Sequence, residues 1–417
     1  MLSTTRSSTR ILVTRRYARA LATEAVSSSS DSAPPPPHTP RTQPKRTRLN
    51  PAPRPAQSHR HDQQPFLNLP PGFARNQLLP VSDSRRALLE SIVAEFDAPI
   101  RYAFAYGSGV FEQDGYAKEG EIDKGKEPML DFVFAVTHPS HFHSINMNQH
   151  PGHYAMHARW LGSDFVSRVQ DVSPGLWFNA FVPMKGVTIK YGVTSVDNLC
   201  KDLLNWNTLY LAGRMHKPIR IIKDDARVRL TQQVNLASAA RAALLTLPER
   251  FDEKSLFEAI AGISYAGDPR MMLPAENRSK VANIVSKQSP QFHELYHRLI
   301  MGMPGVHWQG GSGAIEQDVS PNARAAHLKK LPSALLGRVK AQFARSPENE
   351  ESSSVYWQKL AGDARLTEII SNELRNTVRG PATMQSLKGL VSSGPTQSAR
   401  YVADKVGKWW KGRQQQT

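Results

Sequence analysis

Apolar residues along this chain recur first at helical and then at strand spacing. Leu88, Leu89, Ile92, Val93 and Phe96 lie three and four positions apart, the repeat that lines one side of an α-helix, so a helix is predicted from Val81. Ile100–Tyr106 and Leu130–Thr137 are short continuous apolar runs, the pattern of strands buried on both faces. Between them, Glu112–Pro128 is charged and contains glycine, and reads as a surface loop. Further strands are predicted at Trp177–Val182 and Val187–Tyr191, and helices at Ser195–Leu211 and Leu236–Leu247. That order predicts an α+β domain over 76–247, a mixed sheet with flanking helices. The stretch from His138 to His157 reads as a loop entering a helix. Beyond Pro248 the periodicity is helical at Ser255–Ala261, Lys280–Ser286 and Gln291–Met301, predicting a second, mainly helical domain over 248–345.

The ends have a different character. Residues 1–25 carry Arg6, Arg10, Arg15, Arg16 and Arg19, many hydroxyls and a single acid, Glu24, the composition of a mitochondrial transit peptide. Residues 26–75 hold a serine run, Pro34 to Pro37 and then Arg, Pro, Gln and His. Most of this stretch lacks the apolar surface needed to fold and reads as a linker. The last region, 346–417, ends in a predicted amphipathic helix over Ala399–Arg413. Val402, Val406, Trp409 and Trp410 share one side, and Lys405, Lys408 and Lys411 lie towards the other. Such a helix suits the surface of an anionic membrane, or an ordinary docking of the Trp pair on the protein's own core.

Charge changes this picture through its distribution. The formal net charge is +17. Twelve Lys/Arg oppose three Asp/Glu in residues 1–75 and eight oppose two in 371–417, leaving only about +2 for everything between. A nucleic-acid-binding core carries its own basic stripe, and this one shows none. Cys200 is the only cysteine, which excludes an internal disulfide and a CxxC metal site. No window of 18 apolar residues exists to span a bilayer.

The candidate chemistry sits between the first two strands. Phe104-Ala-Tyr-Gly-Ser-Gly-Val-Phe111 runs a strand into a Gly-Ser-Gly turn, whose N–H groups could cradle phosphate, with Ser108 adding a hydroxyl. Asp131, among apolar neighbours on the next strand, is placed to hold Mg²⁺ against that phosphate. Position 112 is Glu and not a third glycine, which argues against the dinucleotide fingerprint, and no Gly-Lys-Ser/Thr exists to make a P-loop. Strand, Gly-Ser-Gly, strand and Asp together form the motif of polymerase-β-like nucleotidyltransferases. Those enzymes show two acids alternating on the second strand, and here Val133 occupies the second place. Gly310-Gly-Ser-Gly313 follows no strand and reads as a flexible loop. His138, His141, His143, His150, His153 and His157 are irregularly spaced and joined by no cysteine, which disfavours zinc.

Several motifs in series resemble one family. Tyr106-Gly-Ser-Gly-Val-Phe111, Met129-Leu-Asp-Phe132, Asn146 with His153-Tyr154, Lys190-Tyr-Gly192, Leu209-Tyr-Leu-Ala-Gly-Arg-Met-His-Lys-Pro218 and Ser264-Tyr-Ala-Gly-Asp-Pro-Arg270 together look like the mitochondrial translocator assembly and maintenance family. The resemblance covers about 80–300 and the basic C-terminal helix. It implies a phosphatidate cytidylyltransferase, converting CTP and phosphatidic acid to CDP-diacylglycerol and pyrophosphate with Mg²⁺. It also implies the matrix face of the inner membrane, and a nucleotidyltransferase domain followed by a winged-helix-like one with the site between them. On this reading the attacking lipid phosphate is already anionic, so the burden falls on charge neutralisation and alignment. Tyr106, Gly107, Ser108, Gly109, Lys190, Tyr191, Arg214, Lys217 and Arg270 are then candidates for nucleotide or phosphate contacts. Asp131, Ser108 and Lys190 are candidates for the catalytic set, and Asp131 with Asp268 for the metal. Arg214, His216 and Lys217 suit two anionic substrates, and equally a helix C-terminus with favourable dipole placement. Asp268 in its Gly-Asp-Pro turn suits a metal ligand, and equally a turn that caps its own backbone. Two rivals are a nucleotidyltransferase acting on RNA and a non-catalytic inner-membrane assembly factor for protein import.

Overall fold

The computed structural model describes residues 72–111, 129–272, 279–309, 313–343 and 353–414, with backbone alone for Ser108, Met272 and 393–414. The expected transit peptide, the linker as far as residue 71, the loop at 112–128 and most of the 310–313 loop lie outside the described residues. So do the side chains of Val402, Lys405, Val406, Lys408, Trp409, Trp410 and Lys411. The last linker residues belong to the fold: Ala74 is already buried, and Asn76 Nδ2 donates to Leu295 O at 2.7 Å.

The first half runs α1 (Asp83–Ala94), β1 (Tyr102–Tyr106), the single turn α2 (Ser108–Phe111), β2 (Leu130–Val136), α3 (Pro139–Gln149), α4 (Met156–Asp171), β3 (Trp177–Met184), β4 (Val187–Ser195), α5 (Val196–Asn205), β5 (Ile219–Lys223) and α6 (Ala226–Leu244). The strands form a mixed sheet in the order β3-β4-β2-β1-β5, with β2 and β4 parallel and every other pair antiparallel. Side-chain alternation divides it into two faces. Leu130, Phe132, Phe134 and Val136 of β2 pack with Leu89, Ile92 and Val93 of α1 and with Phe142 of α3. Val133 and Ala135, with Tyr102 and Phe104 of β1, turn to the other face and join a core that extends through α5 and α6 into the second half. Both faces are covered, which is why these strands read as continuous apolar runs. Each fully buried Phe contributes on the order of 2–3 kcal/mol by removal from water.

The second half holds β6 (Arg250–Asp252), α7 (Glu253–Gly262), α8 (Lys280–Met301), β7 (Val306–Trp308), β8 (Ala314–Gln317), α9 (Pro321–Leu328), α10 (Ser333–Ala341), α11 (Ser354–Ala361) and α12 (Leu366–Gln414). Its three short strands make a small antiparallel sheet, β6-β8-β7. The architecture is thus mixed α+β, and among the described residues no helix is long and apolar enough to cross a membrane.

Several boundaries differ from expectation. His138–His157 is no loop: it holds α3, a short 3₁₀ turn at Pro151–His153 and the start of α4. The two predicted segments after Lys280 are halves of one helix, bent near Gln288 ahead of Pro290. α6 begins ten residues before the predicted Leu236, because Thr231, Gln232 and Asn235 are polar yet buried and interrupt the apolar repeat. The helix predicted to reach Leu211 ends at Asn205, where Trp206 adopts φ 56. The next twelve residues are a folded loop wrapped around Asp202. One oxygen of that buried carboxylate accepts from the N–H groups of Thr208 and Leu209 and from the Thr208 hydroxyl. The other accepts from the N–H groups of Leu211 and Ala212. Neither β5 nor the second sheet is evident from periodicity, since strands of three to five residues hold too few positions to show alternation.

Candidate active site

Three neighbouring strands deliver a row of side chains to one face of the sheet. The register pairs Tyr106 of β1 with Asp131 of β2, and Asp131 with Lys190 of β4. Lys190 Nζ lies 3.8 Å from Asp131 Oδ1 and 4.4 Å from the centre of the Phe178 ring. The Asp131 side chain is 27% exposed. Burial pushes its carboxyl up from the ordinary range, against the opposing pull of Lys190, Arg214 and Lys280. β1 is followed by Gly107, whose φ of +90° is open to glycine and strained for other residues. A Cβ there would stand 3.6 Å from Asp131 Oδ2, so the expected turn does run against the acid. Ser108 then starts the single turn α2, with Gly109 buried behind it.

The loop organised by Asp202 brings in the cations. Arg214 Nη1 donates to Tyr210 O at 2.6 Å, and its guanidinium lies 3.9 Å from the Tyr210 ring centre and 5.9 Å from that of Tyr106. Lys217 Nζ donates to Gly213 O and to Ser264 Oγ, both at 2.7 Å, and sits 4.9 Å from the Tyr265 ring centre. Burial, with Arg214 and Lys280 nearby, lowers its ammonium to about 7. Asn235 and Gln232 of α6 fix the loop from below, donating to Ala212 O and Met215 O.

The turn after α7 closes the far side. Arg270 donates through Nε and Nη2 to the Asp268 carboxylate, at 2.6 Å for the shortest contact, and its backbone N–H also donates there. Burial alone would raise the Asp268 carboxyl, and the Arg270 hydrogen bonds outweigh it, holding the group below the usual range. Both oxygens are thus engaged by Arg270, which leaves the metal expectation resting on Asp131. Arg214 is the electrostatic hub: it acts on Asp131, Lys217, Asp268 and Arg270 alike. Lys190, Arg214, Lys217, Arg270 and Lys280 therefore surround two carboxylates, a surplus of positive charge suited to a polyanion.

Two expected contacts are absent. Strand alternation sends Tyr191 to the face opposite Lys190, where it is fully buried. Its hydroxyl accepts from Asn146 Nδ2 at 2.7 Å and Asn179 Nδ2 at 2.8 Å, leaving its proton for His153 Nδ1 at 2.9 Å. Asn146 Nδ2 also donates to Tyr154, whose hydroxyl in turn faces His143 Nδ1 at 2.8 Å. The motif's Asn, His and Tyr residues thus form an interior network, with His143 and His153 both lowered to about 4 by burial. His216 is likewise buried, lowered to about 3, and bonded to Asn235, so it adds no charge to the cluster.

Sequence reasoning gave no role to Tyr210, Ser264 and Tyr265, although all three stand inside the quoted motifs. Asp202 and Lys280 carried no local signal. Among the described residues no group of three or more His, Cys, Asp or Glu side chains could hold a metal ion. A single, partly open carboxylate still fits Mg²⁺, which commonly takes one or two carboxylates and completes its shell with water and substrate phosphates.

Comparison with known proteins agrees with the motif series. The family model described as mitochondrial phosphatidate cytidylyltransferase matches residues 89–408. Proteins of that name are similar over much of the chain. The Xenopus laevis protein is 38% identical over 333 residues, 79% of this chain and 96% of its own length. The Danio rerio protein is 36% identical over 80% of this chain and 98% of its own length. The Saccharomyces cerevisiae protein is 45% identical over 55% of this chain and 60% of its own length. With a family model matching well over half of its length, and relatives of that name covered over nearly their whole length, this chain belongs to the mitochondrial phosphatidate cytidylyltransferase family.

Proposed function

We propose that the protein transfers the cytidylyl group of CTP to phosphatidic acid, giving CDP-diacylglycerol and pyrophosphate. A non-bridging oxygen of the lipid phosphate attacks the α-phosphorus of CTP. The bond from that phosphorus to the β-phosphate oxygen breaks, and pyrophosphate leaves with the electron pair. The nucleophile is already anionic, so the residues have charge to neutralise and groups to align rather than a proton to remove. Arg214, Lys217, Lys190 and Arg270 suit those tasks, with Tyr210 and Asp268 holding the two guanidinium groups in place. Gly107 lets the backbone approach a phosphate beside Asp131. Mg²⁺, held by Asp131, would neutralise the triphosphate further. The observation that carries this reading is the cluster of five cations around Asp131 and Asp268, beside the strands that bring Tyr106, Asp131 and Lys190 into one row.

The five-stranded mixed sheet supports a polymerase-β-like nucleotidyltransferase domain over 76–247. The short three-stranded sheet among helices supports a winged-helix-like domain over 248–345. The relatives' mitochondrial names and the Arg-rich start support delivery to mitochondria, and the lipid substrate supports a peripheral place on the matrix side of the inner membrane. Incubating purified protein with radiolabelled CTP, Mg²⁺ and phosphatidic acid should yield labelled CDP-diacylglycerol. No lipid-extractable label, in protein whose fold is intact, would sink the proposal.

A further inference from the structure

Two histidines of the second half take no part in the cationic cleft. His293 and His297 lie four positions apart on the part of α8 that follows Pro290, so both side chains leave the same side of the helix. Their rings stack, with centres 4.6 Å apart and planes 17° from parallel. His293 is exposed and His297 half-buried, so the pair opens to solvent.

Two further elements hold the pair in place. Trp308 of β7 is itself buried and sets its ring steeply across both imidazoles, its centre 5.6 Å from that of His293 and 5.0 Å from that of His297. Glu253, the first residue of α7, brings Oε1 to 3.2 Å from His293 Nδ1. A carboxylate can only accept, so Glu253 selects the His293 tautomer with its hydrogen on Nδ1 and its lone pair on Nε2. A carboxylate behind one ring nitrogen is the usual device by which a protein orients an imidazole for a metal ion and raises its basicity. The His297 ring rests against the rings of His293 and Trp308, contacts that use neither of its nitrogens. His307 is exposed where its neighbour Trp308 is buried, and strand alternation turns it away from the group.

We propose that His293 and His297 chelate one divalent transition-metal ion of the zinc class, with Glu253 as the outer carboxylate and water in the remaining positions. Rotating the two stacked rings towards each other lets one nitrogen from each reach about 2.0–2.1 Å, an ordinary zinc–imidazole bond. Imidazole suits Zn²⁺, Ni²⁺ or Cu²⁺, whereas Mg²⁺ takes oxygen ligands. The ion thus differs in chemistry from the one assigned to Asp131, and the two sites share no residue. Among the described residues no three His, Cys, Asp or Glu side chains converge on one point, and this site needs only two. Such a site is open and exchangeable, unlike a closed structural zinc centre with four protein ligands. The charge of the ion strengthens the His293–Glu253 contact, so binding braces the junction of α7, α8 and β7 and stabilises the folded chain.

The test uses the full chain, stripped with a chelator and returned to buffer holding Mg²⁺ in excess. At about pH 7.5, where an ordinary imidazole is uncharged, calorimetry should find Zn²⁺ binding that H297A weakens about a hundredfold and E253Q about tenfold. Zn²⁺ should raise the melting temperature of the wild type, and more Mg²⁺ should not. H297Q, which keeps a polar side chain at the half-buried position, replaces H297A if the latter melts lower without metal. Paramagnetic Ni²⁺ should quench the tryptophan fluorescence of the wild type more than that of W308F, because Trp308 touches both rings. Equal Zn²⁺ affinity in wild type and H297Q would overturn the proposal. So would displacement of Zn²⁺ by Mg²⁺ at comparable concentration, or a wild-type melting temperature indifferent to Zn²⁺. None of these readings depends on the reaction.

Discussion

Lys190 faces Asp131 across the parallel β2–β4 pair, Nζ to Oδ1 at 3.8 Å, and the lysine is the nearest charge opposing a carboxylate that burial makes costly to ionise. That relationship separates the needs of catalysis from those of folding. D131N should lower cytidylyl transfer about a thousandfold, by removing the site's partly open carboxylate. Its unfolding free energy from urea melts should stay within about 0.5 kcal/mol of wild type or rise, since a neutral amide costs less to bury than a carboxylate. Transfer at the wild-type rate would remove Asp131 from the reaction.

Lys217 gives the reaction a pH signature. Its ammonium is lowered to about 7, so in the free enzyme it is charged below that value and loses its proton above it. kcat/KM for CTP, which reports the free enzyme, should therefore decline as pH rises through about 7. Bound phosphates favour the charged form, so kcat should hold to higher pH. K217R, which stays charged, should lose the alkaline limb even where its absolute rate is reduced. An unchanged pH profile in K217R would free Lys217 from this role.

The buried histidines set the acid limit of the fold. His143 and His216 are lowered to about 4 and about 3, below the ordinary 6.5 of an unfolded chain. Below pH 6.5 the unfolded chain takes up protons that the folded one refuses, so stability should be full above 6.5 and fall as pH drops towards 4. H143Q should flatten part of that slope in urea melts between pH 4 and 6.5, and an unchanged slope would contradict the burial of an uncharged ring.

Y191F tests whether the family's Lys-Tyr-Gly motif serves substrate or interior. Without the hydroxyl, two buried donors and a histidine nitrogen lose their partner. The expected loss is about 3 kcal/mol of stability, with KM for CTP unchanged. A raised KM in an equally stable protein would return Tyr191 to the substrate.

Gly213 lies where the Asp202 loop packs on the end of α7. A Cβ there would stand 2.5 Å from both Leu209 O and the Ser264 Cβ, against the hydroxyl that holds Lys217. G213A should separate the loop from the α7 turn and reduce kcat/KM at least tenfold, with a lower melting temperature. Full activity would show that the Lys217–Ser264 contact is dispensable.

What could be read from the sequence follows from which residues bury their own type. β1, β2, β3 and β4 were legible because apolar strands covered on both faces stand out from polar surroundings. Asp131 stood out for the same reason, as a lone carboxylate in such a run. The interior of α3 and of the Asp202 loop was not, because it is organised by hydrogen bonds of buried His143, Asn146 and Asp202, which leave no hydrophobic period to read. Lys190 and Tyr191 show the same limit at closer range. Adjacent in sequence, they were both assigned to the phosphate, and the pleat sends them to opposite faces. Arg270 and Asp268 were found by motif; that they hold each other depends on side-chain geometry.

The turn that carries Arg270 rests directly on the long helix: a Cβ on Gly267 would fall 2.4 Å from Arg375 O. Farther along that same helix stand, in an exposed outer row, Met384, Leu387 and Val391. Helical register is discrete, and one inserted residue rotates everything beyond it by about 100°. A single alanine added between Arg379 and Thr383 would keep every side chain of the cleft and every apolar residue of the outer row, yet point the two in different directions. The length of α12 thus works as an angular setting: it stores, in a count of residues, which way its outward apolar row points relative to the turn that carries Arg270.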